Sequence, residues 1–276
     1  LEPTVKRRLT AFFLALTFTL VGCAEGRTQP AQPATQILNV MAAASLKDAF
    51  EAIGADFVAQ RPGTEVVFNF AGSQQLAQQL AEGAPGDVFA SANTRQMENV
   101  VAAERVGPNA PVIFARNRLV VALPADNPAD IETLHDLARP GIKLVLAAEA
   151  VPAGQYALEF LAKASAMADF TAAYSPTVLS NVVSYETNVR SVLTKVALGE
   201  ADAGIVYASD APPGNAQVIT LAIPDEINVT AAYPIAVISE SEFPAVAQAF
   251  VDYVLSEAGQ ATLETFGLVR ADADVE

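Results

Sequence analysis

From Ile37 onward, short unbroken apolar runs alternate with longer stretches in which apolar residues recur every third or fourth position. Such runs have the length of buried strands, and the periodic stretches that of helices. Ile37–Ala43 reads as a buried strand. Ser45, with Asp48 three residues on, reads as a capping-box start to a helix bearing Leu46, Phe50, Ile53 and Phe57, which Arg61-Pro62-Gly63 ends. Glu65–Phe70 is the next strand, Gly72-Ser73 opens a helix with Leu76 and Leu80, and Asp87–Ala90 is a short strand before a helix with Met97, Val100 and Val101. That order implies a doubly wound, largely parallel sheet. A second α/β unit follows. Asn117–Leu123 is a strand, Ile131–Ala138 a short helix, Ile142–Ala147 a strand and 154–163 a helix. Val178–Val183 reads as a strand, Thr187-Asn188 as the cap of a helix with Val189, Val192 and Val196, and Ala203–Tyr207 and Gln217–Ala222 as further strands. From Ala232 the pattern gives one more strand, a helix over Ala245–Leu255 and a final helix.

Residues 1–36 stand outside this alternation. Lys6, Arg7 and Arg8 precede an apolar run from Leu9 to Val21, the length of a signal-peptide core and short for a membrane span. It ends in Leu20-Val21-Gly22-Cys23, which resembles a bacterial lipobox, and Cys23 is the only cysteine of the chain. Residues 1–22 are therefore read as a signal peptide and Cys23 as a lipidation site. Residues 23–36, rich in Pro and Gln, read as a flexible tether. A single cysteine also excludes an intrachain disulfide.

Composition narrows the chemistry. Hydrophobic residues make up 52% of the chain, ample for a core, and the net charge of −15 argues against a nucleic-acid surface. The only histidine, His135, lies in a polar stretch and reads as a surface residue. Without HExxH, a Cys/His cluster, GxSxG, GxxxxGK[ST] or GxGxxG, no metal, nucleotide or nucleophile motif points to an enzyme.

What recurs instead is a small or polar residue where a strand ends and a helix begins: Ser45, Ser73, Ala153 and Val189. In an open α/β sheet such junctions face the ligand crevice. A helix start offers unpaired backbone N–H groups and about half a positive charge, which suits an anion, although any single junction is also what ordinary capping produces.

Taken together the segments are more specific. MAAASLKDAF (41–50), FAGSQQLAQQLAEGAPGDVFASA (70–92), EAVPAGQYA (149–157), TNVRSVLTKVALGEADAGIVYASDA (187–211) and AAYPIAVI (231–238) resemble, in order, the motifs of the periplasmic molybdate-binding proteins, and the resemblance spans 37–276. It implies a two-lobed, type II periplasmic-binding-protein α/β fold, each lobe a doubly wound mixed or parallel sheet flanked by helices. Lobe 1 would comprise 37–116 plus 231–276, and lobe 2 117–230. It also implies a non-enzymatic, monomeric, extracytoplasmic binding protein without cofactor. Such a protein captures molybdate or tungstate between its lobes and delivers it to the permease and ATPase of an ABC importer; here the membrane link would be the lipid at Cys23. Carried over residue by residue, the oxyanion ligands are the hydroxyls and backbone N–H groups of Ser45 and Ser73, the N–H groups of Ala153 and Val189, and the Tyr207 phenol. Asn188 and Arg190 read as local support for the turn at 189. One departure is that Gly72 and Gln74 flank Ser73 where the family often carries a run of serines.

This ligand set contains no Lys or Arg, so a dianion can be held by neutral donors inside an acidic protein. It contains no acceptor either, which disfavours hydrogen phosphate, since an unpaired buried donor costs about 1–3 kcal/mol. Sulfate and thiosulfate remain alternatives for the same fold. Ferric iron fits poorly, because Tyr207 is the only ligand of the usual kind among these residues.

Overall fold

The computed structural model describes residues 35–212 and 214–272; the signal peptide, Cys23 and nearly all of the tether lie outside them. The strands are β1 (Gln36–Ala43), β2 (Thr64–Ala71), β3 (Val88–Ala90), β4 (Val112–Pro124), β5 (Leu144–Ala147), β6 (Val182–Glu186), β7 (Ala203–Tyr207), β8 (Val218–Ala222), β9 (Thr230–Val237) and β10 (Val269–Arg270). The helices are α1 (Lys47–Ala59), α2 (Ser73–Ala81), α3 (Thr94–Ala102), α4 (Pro152–Ala166), α5 (Tyr174–Ser180), α6 (Val189–Ala197), α7 (Pro244–Leu255) and α8 (Glu257–Thr265).

The strands run in the order β2-β1-β3-β9-β4-β7-β5-β6, with β8 and β10 also paired to β4. In one half, β1 is parallel to β2 and β3, and β9 returns antiparallel beside β3 and β4. In the other, β5 is parallel to β6 and β7, while β7 and β8 pair antiparallel with β4. Parallel neighbours need long crossovers, which the helices supply. β4 belongs to both halves: Val112–Arg118 pair with β9, and Leu119–Pro124 pair with β7 and β8.

One large apolar core runs through both halves, and a smaller cluster lies in the β1 half alone. Phe50 and Phe57 of α1 pack edge-on against Phe250 of α7. On the other face, Leu76, Leu80, Met97 and Val100 close over Met41 and Phe89.

Four expectations are corrected. The helix expected over Ile131–Ala138 is only a 3-10 turn at Leu134–Ala138, because Asn127 bonds both backbone groups of Ile131 and holds it out of a helix. The strand expected over Val178–Val183 is the end of α5 followed by β6. Tyr174 and Val178, four apart, are both buried, and the Tyr174 hydroxyl donates to the Leu134 carbonyl at 2.6 Å. β4 begins at Val112, earlier than the apolar run suggests, since β9 and β10 both pair with its first half. Finally, Ser45 does not cap a helix: it lies within a 3-10 turn, Ala44–Leu46, that precedes α1, and no side chain caps that turn.

Candidate functional site

The parallel strands of both halves end at one place. β1 ends at Ala43 and passes into the 3-10 turn that carries Ser45. β2 ends at Ala71, Gly72 takes an extended conformation, and α2 starts at Ser73. In the other half, β5 leads through a turn to Pro152, the first residue of α4, with its φ already suited to a helix start. Ala153 follows. Gly154 comes next because a Cβ there would sit 2.1 Å from the Ala148 carbonyl oxygen. β6 leads to α6, where Asn188 accepts the Ser191 N–H at 3.0 Å and Val189 occupies the first turn. β7 ends at Tyr207.

Ser45, Ser73, Ala153, Val189 and Tyr207 all line one small cavity, together with Gly72, Asn188 and several alanines. Its free volume is about 10 Å³, near what one water molecule needs. No Lys, Arg, Asp or Glu lines it. α2, α4 and α6 present first-turn N–H groups, which lack partners within their helices.

The serine hydroxyls have defined roles. Ser73 Oγ accepts the Ala92 N–H at 3.0 Å, so its own proton is free to point elsewhere. Ser45 Oγ lies 3.1 Å from the Tyr233 hydroxyl, which also accepts from Asn117 Nδ2 at 3.3 Å. The Tyr207 hydroxyl is buried and makes no hydrogen bond of normal geometry. Its ring stands edge-on to that of Tyr233, with centroids 5.7 Å apart. Burial above all, and then the neighbouring Tyr233, pushes the Tyr207 phenol well above its ordinary range. Burial likewise raises Tyr233, and Tyr156 up to about 12. All three phenols therefore keep their protons at neutral pH, and Tyr207 is a donor.

Sequence reasoning missed the layer behind these groups. In the sequence Tyr233 reads only as part of the strand after Ala232, and Asn117 as the first residue of an apolar strand; a polar residue heading such a strand is the available signal. Asn117 also donates to Ser209 Oγ at 2.7 Å. Asp210 is buried, accepts the Tyr207 N–H at 3.2 Å and lies 3.3 Å from Arg190 Nε. Burial pushes its carboxyl up to about 7, with Arg190 pulling it down. Arg190 does more than support its own turn, for its guanidinium also bonds Asp48 of α1. Gly72 and Gln74 have a shared cause. A Cβ on Gly72 would meet the Thr187 carbonyl oxygen at 2.5 Å, and Gln74 Nε2 donates to that same oxygen at 2.9 Å.

His135 is exposed, with its ring stacked 4.5 Å from that of Phe170, and does not line the cavity. Among the described residues no group of three or more His, Cys, Asp and Glu side chains could hold a metal ion, and no helix is long and apolar enough to cross a membrane.

Known proteins share both the sequence and the architecture. The chain is 40% identical over 241 residues to the molybdate-binding protein ModA of Mycobacterium tuberculosis, covering 87% of each chain. Its fold matches that of the periplasmic molybdate-binding protein of Azotobacter vinelandii, with a TM-score of 0.72 at 20% identity over 84% of this chain and 98% of that one. It also matches the sulfate-binding protein SubI of Mycobacterium tuberculosis, with a TM-score of 0.76 at 20% identity over 86% and 88%. The family model for the bacterial extracellular solute-binding proteins matches residues 38–269. The chain belongs to the bacterial extracellular solute-binding protein family.

Proposed function

We propose that this chain captures molybdate, and tungstate with it, between two lobes, 37–116 plus 231–276 and 117–230, and hands it to an ABC importer. The observation that carries this reading is the Tyr207 hydroxyl: a protonated donor, buried, with Tyr233 beside it but no hydrogen bond of normal geometry, in a cavity that also receives three helix starts and two serines. A buried unpaired donor costs about 1–3 kcal/mol, and an acceptor-only anion removes that cost. Ser45, Ser73, the N–H groups of Ala153 and Val189, and Tyr207 are the proposed ligands. The 40% identical ModA supports molybdate as the cargo.

The same set of groups supports binding without catalysis, since it holds no nucleophile beside a base. Molybdate enters and leaves as cargo, and no cofactor has a role. The chain would act as a monomer outside the cytoplasm, anchored through a lipid on Cys23 and docking on the permease that works with the transporter ATPase.

Titration calorimetry with molybdate, tungstate, sulfate, thiosulfate and phosphate tests this. Molybdate and tungstate are expected to bind tightly, sulfate and thiosulfate more weakly, and phosphate least. Sulfate binding tighter than molybdate would replace the cargo, and no heat with any of the five would sink the oxyanion reading.

A further inference from the structure

Arg190 holds an unusual position. It directly follows Val189, in the first turn of α6, yet its guanidinium reaches a carboxylate in each half of the molecule. On its own side is Asp210, wholly buried, with Oδ1 3.3 Å from Arg190 Nε. Across the cleft is Asp48, whose carboxylate it bonds and whose side chain is half exposed. Asp48 stands in the first turn of α1, three residues beyond Ser45. The two residues flank the cavity without lining it.

From this geometry we infer that Arg190 is a positioning residue for capture: a strap between the halves that forms when they close and slows release of the anion. The inference rests on the oxyanion reading of the cleft. Asp210 backs the strap. It is held by the Tyr207 N–H, and its Oδ1 stands 3.3 Å from Arg190 Nε, close enough to attract the guanidinium although the two atoms make no hydrogen bond. An ion pair between solvent-exposed partners contributes little by itself. Here the arginine is three-quarters buried beside Asp210, and the pair exists only while Val189 and Ser45 face each other. Its contribution therefore falls on the closed state alone, and a term confined to the closed state appears in the dissociation rate. No charged residue lines the cavity, and salt also screens the repulsion between the anion and a protein of net charge −15, so the share of this pair is the salt dependence that its removal takes away.

Asp48→Asn is the appropriate variant, because it removes the outer charge and leaves every proposed ligand in place. Molybdate dissociation would be followed by stopped-flow competition with tungstate at low and at high salt. The wild type is expected to release molybdate faster as salt rises. Asp48→Asn should release it roughly three- to tenfold faster at low salt and be accelerated by salt less than the wild type is, while the ligand-free melting temperature stays the same. Asp48→Glu should restore the slow, salt-sensitive release. If Asp48→Asn matches the wild type within twofold at both salt concentrations, the strap is wrong although the oxyanion reading stands. If the wild type binds neither anion, both fall.

Discussion

At the scale of single residues, the proposed ligands differ in what they do for the protein without an anion, and mutation should separate them. Ser73 Oγ satisfies a buried backbone N–H, that of Ala92. Ser73→Ala is therefore expected to lower both molybdate affinity and ligand-free stability, each by about 1–3 kcal/mol. Ser45 shares its hydroxyl with Tyr233, which keeps Asn117 as a second partner, so Ser45→Ala should cost affinity with a smaller effect on stability. Tyr207 is the opposite case. Its hydroxyl makes no hydrogen bond of normal geometry to lose, so Tyr207→Phe should leave the ligand-free melting temperature unchanged or higher while molybdate binding weakens. Calorimetry and thermal unfolding on the three variants would show this ordering. A Tyr207→Phe protein that melts well below the parent would mean the phenol has a structural partner.

At the scale of elements, the site depends on how closely two helix starts approach. Gly72 precedes α2, and its missing Cβ is what admits the Thr187 carbonyl just ahead of α6. Gln74 then clasps that carbonyl. Gly72→Ala should hold the two elements apart, weakening molybdate binding by about tenfold or more, as overpacking of a tight contact does. Ligand-free stability should change little, because open halves avoid the clash. Unchanged affinity would show that the contact plays no part in binding. The glycine and the glutamine were visible in the sequence as departures from a serine run; their purpose was not, since Thr187 is more than a hundred residues away.

At the scale of the whole molecule, stability should carry the mark of Asp210. Its carboxyl is pushed up from 3.8 to about 7 by burial, against the pull of Arg190. The native state thus binds more protons than the unfolded chain between those values. The contribution of Asp210 is complete below about pH 4 and is lost as pH rises through about 7. Urea unfolding of Asp210→Asn beside the wild type, from pH 4 to 8, should show the difference in unfolding free energy shifting in favour of the variant as pH rises. A difference that stays constant across that range would refute a raised carboxyl.

Much of this protein is legible in its sequence. Strand and helix identity came from local periodicity, which short-range packing enforces, and the proposed ligands stand at strand–helix junctions that each occupy a few contiguous residues. The misreadings were also local. Val178 and Tyr174 follow a helical spacing that the apolar residues around Val183 obscured, and Ser45 resembles a cap although its hydroxyl turns to Tyr233. Only the tertiary structure decided what stands behind the site: Tyr233 and Asn117 beneath Ser45, Asp210 beneath Tyr207, and Arg190 spanning to Asp48. Except for Asp210 and Tyr207, these partners are separated by long stretches of chain; Asn117 and Tyr233 come together because β4, which also pairs with β7, pairs with β9. Periodicity reports which way a side chain faces within its own element; which distant side chain it meets is set by strand order and register, and those exist only once the chain has folded.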